Sequence, residues 1–234
     1  MLFTSPHLAS STGIKICGLN TVEAAHHAER QGADFLGFVF YERSPRHIST
    51  QQAQIIRQSL SHHAQYVAVT VDSTDQELET IMRTLEPDWI QLHGRESPER
   101  CLQVKALTGK PVIRALGISR VEDLKNVSLY QKACDRLLFD AKPPAKDTHL
   151  LPGGNGISFD WKLLTDLEMP VPWFLSGGLN AANIQEALQA CHAPYVDVSS
   201  GVEEHPGVKS LTRISDFIYT VRNFHDRNPA TSDL

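Results

Sequence analysis

Eight short runs rich in Val, Ile, Leu and Phe alternate with helical patterns along 234 residues, and no linker or low-complexity stretch interrupts them. These observations predict an α/β protein, a single (β/α)8 TIM barrel of eight parallel strands, for which ~250 residues is typical. The runs cover residues 14–17, 35–40, 66–71, 89–92, 112–116, 136–140, 173–176 and 195–198. They are apolar almost throughout, as suits parallel strands buried on both faces. Periodicity shows repetition rather than closure, so an open doubly wound sheet is the alternative architecture. One domain is expected over 1–234, with a core at about 14–225 and tails at 1–12 and 226–234.

Each strand is expected to lead into a helix. After the third, Leu78, Ile81, Met82 and Leu85 recur at i, i+3, i+4, i+7 and form one apolar stripe. Ser97-Pro98 places a capping residue before a proline at the first helical position. Ser119 and Glu122 have capping-box spacing. Asn180 caps a helix that carries Ile184, Ala187 and Leu188 on one side, and Ile214, Phe217, Ile218 and Val221 form the last stripe.

Composition narrows the function. Hydrophobic residues are 41% and charged residues 21%, which suits a soluble chain with a sizeable core. The net charge of −5 provides no positive excess for a nucleic-acid backbone. No run approaches the ~20 apolar residues that span a bilayer, and the first dozen residues lack signal-peptide features. The four cysteines, Cys17, Cys101, Cys134 and Cys191, are scattered without C-x-x-C spacing, as expected of thiols in a cytoplasmic protein. His26-His27 and His62-His63 are adjacent pairs, not i, i+4 pairs, so neither metal nor cofactor is expected.

A barrel of this kind carries its chemistry at the C-terminal ends of its strands. Those ends read Cys17-Gly18, then Ser44-Pro45-Arg46 beyond the second strand, Gln91-Leu92-His93-Gly94 and Asp140. The seventh ends in Ser176-Gly177-Gly178 and the eighth in Asp197-Val198-Ser199-Ser200-Gly201. Gly177, Gly178, Ser200 and Gly201 offer bare backbone N–H groups, and Gly154 adds to them, as a phosphate site requires.

With those strand ends in view, residues 14 to 222 resemble the phosphoribosylanthranilate isomerase family of tryptophan biosynthesis. The matching motifs are Lys15-Ile-Cys-Gly-Leu19, Gly37-Phe-Val-Phe-Tyr41 with Ser44-Pro-Arg46, Gln91-Leu-His-Gly94 and Phe139-Asp-Ala-Lys142. Gly153-Gly-Asn-Gly156, Phe159-Asp-Trp161, Leu175-Ser-Gly-Gly-Leu-Asn180 and Val196-Asp-Val-Ser-Ser-Gly-Val202 follow in order.

The resemblance implies an Amadori rearrangement of N-(5-phosphoribosyl)anthranilate to the open-chain deoxyribulose phosphate, without redox change or metal. By the same resemblance Cys17 is the general base and Asp140 the general acid. Arg46 then meets the anthranilate carboxylate, Asp197 lies near the substrate's hydroxyl or amine, and His93 sits at the barrel mouth beside the substrate.

These roles make opposite demands. A thiol with pKa ~8.5 needs a neighbouring cation or amide dipoles to form thiolate, whereas an acid must keep its proton. The expected partner is a small phosphosugar, with the chain a monomer or homodimer. Residues 141–158 read as a lid closing over the substrate.

Two departures stand out. Asn20 precedes Thr21 where the family has threonine directly, and the third strand ends Val69-Thr-Val-Asp72 in place of a phenylalanine and an asparagine. Two other functions compete. The related sugar isomerase of histidine synthesis uses two aspartates, which Cys17 argues against. A noncatalytic phosphate-binding barrel would not need both Cys17 and Asp140.

Overall fold

The computed structural model describes residues 12–61, 63–142, 151, 153–165 and 169–224. The expected tails apart from Thr12, and half of the expected lid, lie outside these residues. Eight parallel strands close into a barrel: β1 (Gly13–Cys17), β2 (Phe35–Phe40), β3 (Gln65–Thr70), β4 (Trp89–Leu92), β5 (Val112–Ile118), β6 (Arg136–Ala141), β7 (Trp173–Leu175) and β8 (Tyr195–Val198). β1 pairs with both β2 and β8, so the open-sheet alternative is excluded. The expected strands are all present, with ends moved by one or two residues.

Around the barrel run α1 (Val22–Arg30), α2 (Thr50–Ser59), α3 (Asp75–Leu85), α4 (Pro98–Thr108), α5 (Val127–Tyr130), α6 (Ile184–Cys191) and α7 (Leu211–Arg222). Beyond β8 a small antiparallel hairpin, β9 (Glu203–His205) with β10 (Val208–Lys209), precedes α7. The stripes of α3 and α7 face the barrel as their spacing requires, with Leu78, Ile81, Leu85, Ile214, Phe217, Ile218 and Val221 buried and Met82 partly so.

The caps explain where most helices begin. Thr21 Oγ1 accepts from Ala24 N at the start of α1, so the cap has moved one residue past Asn20, whose side chain instead donates to the Gly207 carbonyl. Ser97 Oγ accepts from Arg100 N ahead of Pro98. At α3 Thr74 and Glu77 form a reciprocal capping box. Thr74→Ala should lower stability by ~1 kcal/mol in urea unfolding, because the exposed Glu77 amide loses its partner.

Three expectations need correction. The β5–β6 connection is a 3-10 segment (Val121–Asn126) running into the four-residue α5, not a full helix. Of this stretch only Val127 is buried, so it has no apolar stripe to stabilise a longer helix. The expected Ser119–Glu122 capping pair is not formed there; Asp123 Oδ2 accepts from the Ser119 amide and hydroxyl and from Arg120 N. After β6, the helical structure among the described residues is a single 3-10 turn (Trp161–Leu164). The expected cap at Asn180 is formed on the turn that leads into α6, its Oδ1 accepting from the Ala182 and Asn183 amides, while the side chain of Asn183, just before the helix, makes no cap bond.

Strand alternation sends every second side chain into the barrel. At its floor the Arg136 guanidinium lies 4.3 Å from the ring centres of Trp89 and Tyr195 and 5.0 Å from Phe35. Its Nη1 has no hydrogen-bond partner, and the ring faces provide the favourable electrostatics. Above lie Phe174, Leu138, Val67 and Ile113. Polar groups gather at the opposite end.

Candidate active site

The C-terminal mouth of the barrel holds an open pocket of about 760 Å³. Cys17, Arg46, His93, Asp140, Gly154, Gly177, Gly178, Asp197 and Ser200 all line it. Residues from β1, β6 and β8 and from five loops thus converge, although they are far apart in sequence. Gly201 does not line the pocket. A side chain there would run into the Leu179 carbonyl, so this glycine lets the β7 and β8 loops approach each other.

Cys17 ends β1 two residues after Lys15, and the two-residue period turns both inward. Register pairs Lys15 with Asp197 on β8, and Lys15 Nζ lies 2.8 Å from Asp197 Oδ1, both side chains buried. Ser176 Oγ donates to the other Asp197 oxygen at 3.2 Å. Burial acts to lower the Lys15 pKa, but Asp197 and then Cys17 outweigh it, so the ammonium is held charged. For Cys17, burial pushes the thiol up most strongly; Lys15 and Lys209 pull the other way, Asp197 adds to the rise, and the net direction is upward. The expected cations are therefore present, yet they do not overcome burial.

Asp140 ends β6 opposite. Its Oδ1 accepts from the Ala141 amide at 2.8 Å, and its Oδ2 lies 3.3 Å from His93 Nε2. Gln91, two residues before His93 on β4, places its amide nitrogen 3.0 Å from His93 Nδ1. The other ring nitrogen, Nε2, faces Asp140. Gly153 closes over the pair: a side chain there would come within 2.6 Å of Asp140 Oδ2.

Arg46 is clamped from behind. Its Nε and Nη2 lie 2.7 and 2.8 Å from the two oxygens of Glu203, and Nη2 also donates to the Gly154 carbonyl at 3.1 Å. Nη1 makes no hydrogen bond among the described residues. Gly177 and Gly178 have φ of 89° and 65°, a region that only glycine enters freely. In this conformation the Gly178 amide, like that of Ser200, finds no partner among the described residues. Two bare donors on neighbouring loops fit a phosphate ester.

Sequence reasoning did not single out Glu203 and Lys209 or assign Lys15 a role. Lys15 had a usable signal, its inward position two residues before Cys17. The hairpin residues had none, because only the tertiary fold brings them under the mouth. Among the described residues no three His, Cys, Asp or Glu side chains are grouped to hold a metal. No helix there is long and apolar enough to cross a membrane.

Fold and mouth together define a (β/α)8-barrel enzyme with paired acid–base candidates and an anion-binding rim. The family model for N-(5'-phosphoribosyl)anthranilate isomerase matches residues 14–220, and the chain belongs to that family. The isomerase of Rhizobium johnstonii is 50% identical over 208 residues, covering 89% of this chain and 93% of its own. That of Sinorhizobium fredii is also 50% identical, covering 89% and 92%.

Among solved structures, the Thermotoga maritima isomerase superposes with a TM-score of 0.80 at 32% identity, over 90% of this chain and 98% of its own. A phosphoribosylanthranilate isomerase in complex with reduced 1-(o-carboxyphenylamino)-1-deoxyribulose 5-phosphate gives 0.77 at 31% identity, over 90% and 98%. A 3-hexulose-6-phosphate synthase at 12% identity and TM-score 0.59 shares the fold alone.

Proposed function

We propose that this chain, an aldose–ketose isomerase by family, rearranges N-(5'-phosphoribosyl)anthranilate with Asp140 as acid and Cys17 as base. The observation that carries the assignment is the single pocket lined by both groups, with Lys15 and Lys209 near the sulfur and His93 beside the carboxyl. Asp140 gives its proton to the ring oxygen as the C1–O bond breaks, and the nitrogen lone pair forms the iminium. The Cys17 thiolate then removes the proton from C2, giving an enol amine that tautomerises to the ketone.

Binding groups follow from the same geometry. Arg46 Nη1 takes the anthranilate carboxylate, while Glu203 holds the rest of the guanidinium in place. The amides of Gly178 and Ser200 take the phosphate, with Gly154 and Gly177 shaping the rim and Gly201 allowing the loops to meet. Asp197, facing the pocket beside Lys15, meets a substrate hydroxyl or amine. On this reading the enzyme works in the cytoplasm, as a monomer or a homodimer.

The test is turnover of freshly made phosphoribosylanthranilate, followed by loss of anthranilate-type fluorescence, without added metal or nucleotide. Inorganic phosphate is expected to compete, raising KM and leaving kcat unchanged. Conversion of only the histidine-pathway aminoaldose would favour the competing isomerase, and noncompetitive phosphate inhibition would remove the rim from the account.

A further inference from the structure

Two buried charges beneath the mouth belong to the hairpin after β8, not to the eight strands. Glu203 and Lys209 are both buried, and neither lines the pocket. A buried charge persists only when it is paired. Glu203 Oε1 accepts from Arg46 Nε at 2.7 Å and from Lys209 Nζ at 2.8 Å, while Oε2 takes Arg46 Nη2. Lys209 Nζ also donates to the Ser199 carbonyl at 2.9 Å, and the Ser199 hydroxyl donates to the Cys17 carbonyl at 3.0 Å. One continuous path joins the guanidinium to the backbone of the cysteine.

Two lysines act on the sulfur, each from a different group of charges. The charged groups facing Cys17 are Lys15, Asp197 and Lys209. Lys15 favours the thiolate more strongly than its partner Asp197 opposes it, and it also hydrogen-bonds the cysteine side chain. Arg46, Glu203 and Lys209 hold two cations against one anion, so this triad brings a second positive surplus, which reaches the sulfur through Lys209. Ionising the thiol would satisfy that surplus without further rearrangement.

We propose that Lys209 is a positioning residue that stabilises the Cys17 thiolate, with Glu203 the strut that fixes its ammonium and turns Arg46 Nη1 toward substrate. The proposal rests on Cys17 being the base, and its test keeps the two separable. The probe is iodoacetamide alkylation of Cys17 in the free enzyme as a function of pH, read by mass spectrometry on its own peptide, alongside kcat and KM.

In Lys209→Met the alkylation midpoint is expected to rise by about one unit, slowing alkylation ~10-fold at neutral pH. Turnover should fall in parallel, with KM changed less than ~3-fold because Arg46 keeps its anchor. Lys209→Gln retains a donor for the Ser199 carbonyl and carries the same reading if the methionine variant does not fold.

Glu203→Gln should instead raise KM ~10-fold, since Arg46 loses its charge-assisted fork. An unchanged midpoint in a folded Lys209 variant, with only a lowered Tm, overturns the proposal and leaves a structural lysine. Retained turnover in Cys17→Ser would overturn the base assignment itself, a separate outcome.

Discussion

Cys17→Ser should reduce turnover by ~10²-fold or more, and Asp140→Asn by a similar amount, the usual scale for a lost acid or base. Both replacements are nearly isosteric, so fold and substrate affinity should be preserved and the loss should appear in kcat. A serine hydroxyl in the Cys17 position keeps the shape but is far harder to ionise than a thiol. Asparagine in place of Asp140 keeps an oxygen to accept from the Ala141 amide but has no carboxyl proton to give. Near-normal rates in either variant overturn that residue's role.

The pH profile adds a second, independent reading of the same pair. Burial pushes the Cys17 thiol up, with Lys15 and Lys209 opposing and Asp197 reinforcing the shift. The active base is the thiolate, so kcat/KM for free enzyme should climb from neutral pH into the alkaline range. A profile flat from about pH 6 to 9 would mean that the thiol is already ionised at the acid end of that range, far below the ordinary thiol pKa of ~8.5, against this account. Cys101, Cys134 and Cys191 are pushed up to about 11, 12 and 11 by burial and should contribute no reactive thiol in that range.

Much of this site was legible in the sequence because a barrel converts position along a strand into position in space. Cys17 and Asp140 end apolar runs, and the fold alone sends both to one mouth. Arg46 and the Gly177-Gly178 turn were readable for the same reason. Three kinds of feature were not. The Glu203–Lys209 hairpin leaves no local pattern that reveals its long-range partners. The β5–β6 connection carries capping residues without an apolar stripe, so the signal for a helix start was present but the energy for a helix was not. Gly201 sits in a motif of pocket residues, yet its requirement is clearance from Leu179, a steric demand that no single-chain spacing encodes.

Removing one side of the Lys15–Asp197 pair should have the largest effect on stability. Asp197→Leu leaves an ammonium with no exposed surface and no anionic partner beside it, at a cost of about 3–5 kcal/mol in denaturant unfolding. The cost comes from the stranded charge more than from the lost attraction, since an isolated buried cation must either be desolvated or give up its proton. It follows that Lys15→Met in the same chain should recover most of the loss, because an apolar pair of similar volume removes the desolvation penalty altogether. Double-mutant unfolding checks this: additive losses would show that the two residues contribute to stability separately. The recovered protein should remain inactive, having lost the Asp197 contact to substrate and a cation beside Cys17. Stability restored without turnover would place this ion pair in the barrel for catalysis and not for folding.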